Sequence, residues 1–286
     1  MPSILIIGGG PAGLSAAIYA ARAGLDVTLL YKDGGALGKT DKIENYFGFP
    51  EALSGAELLA RGRAQAERLG AKLVQTEVIG FEYAERGFAL KTTDSRYTGD
   101  AAILATGAPR AVPPIAGIAE FEGRGVSYCA VCDAFFYRGK AVAVLGQGEY
   151  ALEEARTLLP VAGSVTLLTN GSEPPAALPD GLTVDTRPVT AVEGADKVAR
   201  IAFSEGDPLA VDGVFIAYGT AGSSDFARKL GAQLDGNKIK IDGDMATAVP
   251  GLFAAGDCTG GLLQVAKAVS DGAQAAMSAV KFVRKQ

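Results

Sequence analysis

The sequence predicts an α/β protein containing two sheets of the nucleotide-binding kind, on three observations. A strand, a glycine turn, a helix and a second strand follow one another near the start. The same order returns about 140 residues later. Beyond residue 168 short strand-like runs dominate, up to a long Ala-rich helix that begins near residue 264.

In chain order, residues 4–7 are a short apolar strand that meets Gly8-Gly9-Gly10-Pro11-Ala12-Gly13. Residues 14–23 then keep helical spacing and stop at Gly24, and residues 27–30 form the next strand. Gly8 permits the tight turn, Gly10 admits the close approach of a pyrophosphate, and Gly13 allows helix and strand to touch. The helix start offers free N–H groups and the positive end of its dipole to phosphate. A plain strand-to-helix turn is the alternative, and the strand–helix–strand context favours a bound dinucleotide. The second copy has a strand at 141–145, the turn Gly146-Gln147-Gly148-Glu149-Tyr150-Ala151, a helix at 152–159 and a strand at 165–168. Further strands are expected at 101–105, 182–184, 189–192, 198–203, 214–218 and 251–255, the last closed by Gly256-Asp257. Ala111-Val112-Pro113-Pro114 is expected to carry the chain between domains, because paired prolines give a stiff extended link.

Composition excludes several classes. With 48% hydrophobic and 21% charged residues, the 286-residue chain folds rather than stays disordered. A formal net charge of −5 without a basic block argues against a nucleic-acid partner. No apolar run approaches the roughly 20 residues needed to span a bilayer. The first residues read as strand rather than as a signal peptide, so a cytoplasmic protein is expected. Histidine is absent, which removes the commonest acid–base group and metal ligand, and no metal is expected.

Of the three cysteines, Cys129 and Cys132 stand three apart. On a helical turn both sulfurs lie on one face, and the disulfide closes little loop entropy, so it is a weak staple but an easily cycled one. Cys-x-x-Cys spacing also favours the reactive thiolate. A zinc site would need about four ligands, and only Cys258 remains to help. Two unconnected buried cysteines are the other alternative. Asp133, next to Cys132, is the nearest group to pass a proton to a departing thiolate, unless it is merely a surface carboxylate.

Taken together these motifs resemble the low-molecular-weight thioredoxin reductases. The likeness covers nearly the whole chain: the first glycine turn, Ile43-Glu44-Asn45-Tyr46-Phe47-Gly48-Phe49-Pro50, Ala105-Thr106-Gly107, Cys129-Ala130-Val131-Cys132-Asp133, the second glycine turn with Leu152-Glu153-Glu154-Ala155, and Pro250-Gly251-Leu252-Phe253-Ala254-Ala255-Gly256-Asp257. The resemblance implies two Rossmann-like domains with three layers, ββα. It implies a discontinuous FAD-binding domain at 1–111 and 243–286 and an inserted central domain at 112–242 that carries the cysteine pair. It places FAD against Gly8, Gly10, Pro11, Ala12, Gly13, Tyr31, Lys32, Leu37, Asn45, Val78, Ala105, Thr106, Gly107, Gly256, Asp257, Gln264 and Val265. It makes Cys132 the thiol beside the flavin, Cys129 the one that attacks thioredoxin, and Asp133 the acid. It also implies a homodimer whose central domain swings between flavin and substrate.

The second turn departs from that family. Its usual His-Arg-Arg after the second strand reads Thr169-Asn170-Gly171-Ser172 here, and no Arg or Lys lies between Arg156 and Arg187 to clamp a 2′-phosphate. Glu149 and Tyr150 occupy the place of slimmer residues, and a glutamate there repels pyrophosphate. Tyr218-Gly219-Thr220-Ala221-Gly222-Ser223-Ser224 replaces a Gly-x-x-Pro-Asn stretch. These changes resemble the pyridine-nucleotide-independent branch, with ferredoxin-linked and deazaflavin-linked members, and Gly260-Gly261-Leu262-Leu263-Gln264-Val265-Ala266-Lys267-Ala268 is similar to C-terminal segments seen there. At the FAD end, Tyr31 stands in place of an acidic residue, which Asp33 or the backbone could replace, and Ala36 stands in place of a polar one. Cys258 reads as a small buried residue. The expected function is transfer of electrons from FAD through Cys129–Cys132 to thioredoxin, from a ferredoxin-like donor. An NADPH-dependent reductase, a dithiol oxidase and a non-catalytic flavoprotein sensor are the alternatives.

Overall fold

The structure, a computed structural model, describes residues 1–107, 113–219 and 221–285. It divides into a terminal unit, Met1–Pro109 with Gly222–Gln286, and a central unit, Arg110–Ala221. Part of the expected crossing, Ala111 and Val112, and Thr220 of the substituted stretch lie outside the described residues.

The terminal unit begins with β1 (Ser3–Ile7), α1 (Pro11–Arg22), β2 (Asp26–Tyr31), α2 (Gly55–Arg68) and β3 (Lys72–Gln75). An antiparallel meander follows, β4 (Gly80–Tyr83), β5 (Phe88–Lys91) and β6 (Arg96–Gly99), before β7 (Ala101–Leu104) returns to the main sheet. The helices start earlier than the apolar spacing alone indicates, because Gly10 and Pro11 already adopt the helix entry. α2 has no glycine turn before it; its start is written by Ser54, whose hydroxyl accepts the Glu57 N–H.

In the central unit, β8 (Val126–Ser127) runs into the short α3 (Ala130–Asp133). Then come β9 (Ala141–Gly146), α4 (Gly148–Leu158), β10 (Ser164–Leu168) and β11 (Leu182–Asp185). Next are β12 (Val189–Gly194), β13 (Val198–Phe203), β14 (Leu209–Ala210) and β15 (Gly213–Ala217). The parallel sheet has the order β11-β10-β9-β15-β8. Alternate residues of its strands, including Ala143, Leu145, Val214 and Ile216, form one core with Val192, Ile201 and Phe203 of the antiparallel β12-β13-β14 layer. α4 lies on the other side, with Leu152, Ala155 and Leu158 fully buried.

The chain then re-enters the terminal unit through α5 (Ser223–Lys229), β16 (Leu234–Asp235), β17 (Lys238–Ile239), β18 (Leu252–Ala254) and α6 (Val265–Arg284). The main sheet is parallel with order β18-β7-β1-β2-β3. One face, with Ile4, Ile6, Val27 and Leu29, packs on α1, α2 and α6. The opposite face meets the meander: a Cβ built on Gly99 of β6 would sit 2.8 Å from the Leu5 side chain. Each unit is thus helix, parallel sheet and antiparallel sheet, the three layers expected.

Residues 222–242 were expected in the central domain and instead pack with the terminal unit. The reason is the apolar face of α5: Phe226, 1% exposed, stands edge-on to Phe81 at 6.0 Å. Tyr83 Oη also donates to Leu230 O at 2.6 Å. Among the described residues, no helix is long and apolar enough to cross a membrane.

Candidate active site

Two places carry chemistry, one in each unit. In the central unit, β8 delivers Ser127 and the chain turns at once into α3, with Cys129 at its N-cap. Cys129 and Cys132 are joined in a disulfide, with Cα atoms 5.3 Å apart. The turn is held by more than this bond. Ser127 Oγ accepts the Cys129 N–H at 3.1 Å and donates to Asp133 Oδ2 at 2.7 Å. The Ala130 N–H donates to Glu154 Oε2 of α4 at 2.8 Å. Cys129 is buried and Cys132 exposed, and beside Cys132 stand the exposed side chains of Val131, Phe135 and Phe136. Tyr137 has its phenol pushed upward by burial and then by the negative charges of Asp133 and Asp212.

In the terminal unit, β1 ends on Gly8, whose φ of +117° is open to glycine but strained for other residues. A Cβ there would lie 2.2 Å from Ala105 O, and one on Gly13 would lie 1.9 Å from Gly8 O, so both glycines exist for close approach. Gly10 differs: a Cβ on it would meet nothing within 4 Å. The open space lies where α1 begins. Gly10 makes no side-chain cap, and the helix ladder begins only with the Leu14 N–H on Gly10 O at 3.0 Å. The Ala12 and Gly13 amides therefore start the helix without intrahelical acceptors, which is what an anion needs.

Some of the other expected residues border this cradle, and others are tied to one another. Gly256 approaches Ala12, and a Cβ on it would come within 2.9 Å of the Ala12 methyl. Thr106 is tied to α5, since its Oγ1 accepts the Ser223 N–H at 2.7 Å and its own N–H donates to Ser223 Oγ at 3.1 Å. Gly107 follows with φ +84°. Asn45 Nδ2 donates to Gln264 Oε1 at 2.8 Å, which joins the 41–50 loop to the start of α6 at Val265. The Tyr31 ring covers Gly9 and lies under the Arg63 guanidinium, 4.9 Å away. The other three have surroundings of their own. Lys32 is paired with Glu77 at 2.8 Å, Leu37 backs its carbonyl against Gly55 of α2, and Val78 is buried.

One residue here stood in a quoted stretch without a role of its own. Lys267 lies in the first turn of α6, against the helix dipole. Its ammonium reaches Gly256 O (3.0 Å), Thr259 Oγ1 (3.0 Å), Gly260 O (2.6 Å) and Asp271 Oδ2 (2.7 Å), so it fastens the loop that holds Asp257. The signal was present as a lysine one turn before a buried aspartate. Asp257 itself is pushed above the usual carboxylate range by burial, with Lys267 acting in the opposite sense. Cys258 donates to Ala255 O, and burial raises its thiol to about 11. Iodoacetamide at pH 8 is accordingly expected to modify no cysteine of the native oxidised protein, as mass spectrometry of the intact chain would show. One added mass on Cys258 would contradict this.

The second glycine turn keeps only part of the cradle. Gly146 approaches Ala217 O as Gly8 approaches Ala105 O, at 2.1 Å from a built Cβ. Yet α4 starts with Glu149 in its first turn, and Tyr150 is fully buried behind it. The Glu149 carboxylate lies 3.8 Å from Arg156 and adds negative charge to the helix end that would meet a phosphate. At the end of β10, Thr169 Oγ1 donates to Ser172 O and Asn170 Oδ1 accepts the Val189 N–H, which folds this turn back on its own chain. The next cation, Arg187, is committed elsewhere. It holds both Asp185 oxygens, reaches the Glu205 and Asp207 carbonyls, and stacks 3.9 Å from the Phe203 ring centroid. The Asp185 carboxyl is lowered chiefly by that arginine's hydrogen bond.

Comparison with known proteins gives this geometry a family. Residues 2–272 match the pyridine nucleotide-disulphide oxidoreductase family. The thioredoxin reductase of Aquifex aeolicus is 40% identical over 301 residues, which cover 98% of this chain and 93% of that protein. The crystal structure of an atypical thioredoxin reductase from Desulfovibrio vulgaris Hildenborough is 41% identical, covers 100% of this chain and 99% of its own, and superposes with a TM-score of 0.94. A ferredoxin-flavin thioredoxin reductase from Clostridium acetobutylicum is 31% identical, covers 99% of this chain and 98% of its own, and gives 0.73. The terminal unit carries the glycine turn with open space at Gly10, and the central unit carries the disulfide. The chain belongs to the pyridine nucleotide-disulphide oxidoreductase family, as an FAD-dependent disulfide oxidoreductase of the thioredoxin reductase type.

Proposed function

We propose that the protein reduces the disulfide of a thioredoxin-like partner with electrons that come from a ferredoxin-like carrier rather than from NADPH. The carrying observation is the second glycine turn. Glu149 puts a negative charge in the first turn of α4, its carboxylate 3.8 Å from Arg156, and Arg187, the first cation beyond β10, is engaged by Asp185 and two carbonyls. A 2′-phosphate brought there would be desolvated without a cationic partner, a loss of several kcal/mol. The likeness to a ferredoxin-flavin thioredoxin reductase supports the same reading.

Gly8, Gly10, Pro11, Ala12 and Gly13 would hold the FAD pyrophosphate, with Gly256 and Asp257 beside it. Bound there, FAD accepts electrons singly or in pairs and supplies them as a pair to the disulfide. The chain's own groups do the rest. Reduction opens the Cys129–Cys132 bond to two thiols, and Asp133 holds a proton for the departing sulfur. Cys129, buried in the oxidised turn, has to be uncovered to attack the partner disulfide, and the partner's leaving thiolate takes a proton. Cys132 then attacks Cys129 Sγ, which restores the internal disulfide and releases the reduced partner. The exposed Val131, Phe135 and Phe136 give a protein partner an apolar surface around the pair.

Anaerobic titration of the FAD-loaded protein with NADPH, NADH and reduced ferredoxin tests this, with the flavin absorbance as readout. Bleaching within a catalytic turnover is expected from ferredoxin alone. Equally fast bleaching by NADPH would overturn the donor assignment.

A further inference from the structure

We propose that Glu154 and Ser127 are positioning residues of the redox turn, a two-point clamp that keeps Cys129 and Cys132 in closing geometry when the bond between them is open. A short helical turn is a weak structure by itself. Once the sulfur–sulfur bond is broken, little local energy would hold α3 together. The structure supplies three contacts that do not depend on that bond. The buried Ala130 N–H, at the helix start, has no intrahelical acceptor and donates instead to Glu154, which is 1% exposed. The Cys129 N–H donates to Ser127 Oγ. The same hydroxyl donates to Asp133 Oδ2, so one serine ties the first cysteine to the acid.

The clamp acts in the resolving step. In the mixed disulfide, Cys132 thiolate attacks Cys129 Sγ; the bond from Cys129 to the partner breaks, the internal bond forms, and the partner leaves as a thiolate that takes a proton. The rate depends on how often the two sulfurs stand within reach, an effective concentration set by the turn. Removal of Glu154 leaves a buried N–H without its acceptor, and the turn relaxes to satisfy it.

The test equilibrates the holoenzyme anaerobically in dithiothreitol buffers and counts closed pairs by alkylation and mass spectrometry. Glu154→Ala is expected to lower the closure constant about tenfold. Glu154→Gln, whose amide oxygen accepts the same N–H, is expected to stay within about threefold of wild type. Flavin content should be unchanged in both. If Glu154→Ala closes as readily as wild type, or Glu154→Gln falls as far as alanine, the clamp is wrong. Ser127→Ala against Ser127→Thr asks the same question from the other end, should the Glu154 variants not fold: alanine lowers closure several-fold and threonine restores it, and an alanine variant equal to wild type overturns the proposal. The inference rests on Cys129 and Cys132 being the cycling pair. A wild-type disulfide that stays closed in every buffer overturns both readings, whereas a cycling wild type with an unaffected Glu154→Ala overturns the clamp alone.

Discussion

Cys132→Ser is expected to lower disulfide reduction on the order of a thousandfold or more while the protein keeps its flavin. A serine hydroxyl neither forms the internal disulfide nor leaves as a stable anion near neutral pH, so the mixed disulfide with the partner has no resolving group. The substitution removes one sulfur from an exposed position on α3, and the glycine cradle lies in the other unit, so folding and cofactor content should stay near wild type. Cys129→Ser should be as inactive. Asp133→Asn should be milder, about a hundredfold, because only the proton is lost. The measurement is partner-disulfide reduction under anaerobic conditions, normalised to flavin. Turnover by Cys132→Ser within tenfold of wild type would show that the pair is not the route of the electrons.

Gly10→Val is expected to give a folded protein that has lost its flavin. A Cβ at Gly10 meets nothing within 4 Å, and its φ of −79° suits any residue. The added Cβ therefore touches no atom of the fold, and the valine's bulk is placed at the start of α1, beside the Ala12 and Gly13 amides. Loss of two charge-assisted hydrogen bonds to the pyrophosphate amounts to about 3 kcal/mol, or a hundredfold and more in affinity. Gly13→Ala provides the contrast. Its methyl would lie 1.9 Å from Gly8 O, so strand and helix must part, at about 1–3 kcal/mol of stability. Flavin absorbance at purification and urea unfolding of both variants separate the two effects. A Gly10→Val protein that purifies with a full complement of flavin would remove the cradle from the cofactor site.

What could be read from the sequence follows a physical pattern. Gly8 and Gly13 were legible because each is imposed by a contact with backbone that no side chain survives. The cysteine pair was legible because its spacing fits one helical turn. The two nucleotide-binding folds were legible from the two strand–turn–helix units, since a parallel strand order follows once the crossovers are placed, whereas their three layers came from the family resemblance. α2 was not, although Ser54 and Glu57 write its start, because no glycine turn or apolar run announces it. The fate of residues 222–242 was not legible either. What holds α5 is Phe226 against Phe81, a pairing across 145 positions of sequence that local patterns do not contain. Glu154 and Ser127 stand in the motif stretches, yet their reach to the backbone of α3 exists only after β8, α3 and α4 are brought together.

The sheet of the terminal unit also has a consequence for how the molecule is made. Its edge strand β18 pairs with β7, and the α6 that covers β1 and β7 comes later still. The central unit, Arg110–Ala221, lies between β7 and α5 and is contiguous in the chain. On a ribosome the first half of the terminal sheet emerges with its β7 edge unpaired and waits about 150 residues, roughly 7 to 30 s at ordinary elongation rates, for its partner. The central unit has all its strands by then. Nascent chains are thus set to complete the dithiol-bearing half first and to close the glycine-rich half last, with the exposed β7 edge as the place where chaperones, or another nascent chain, would find it.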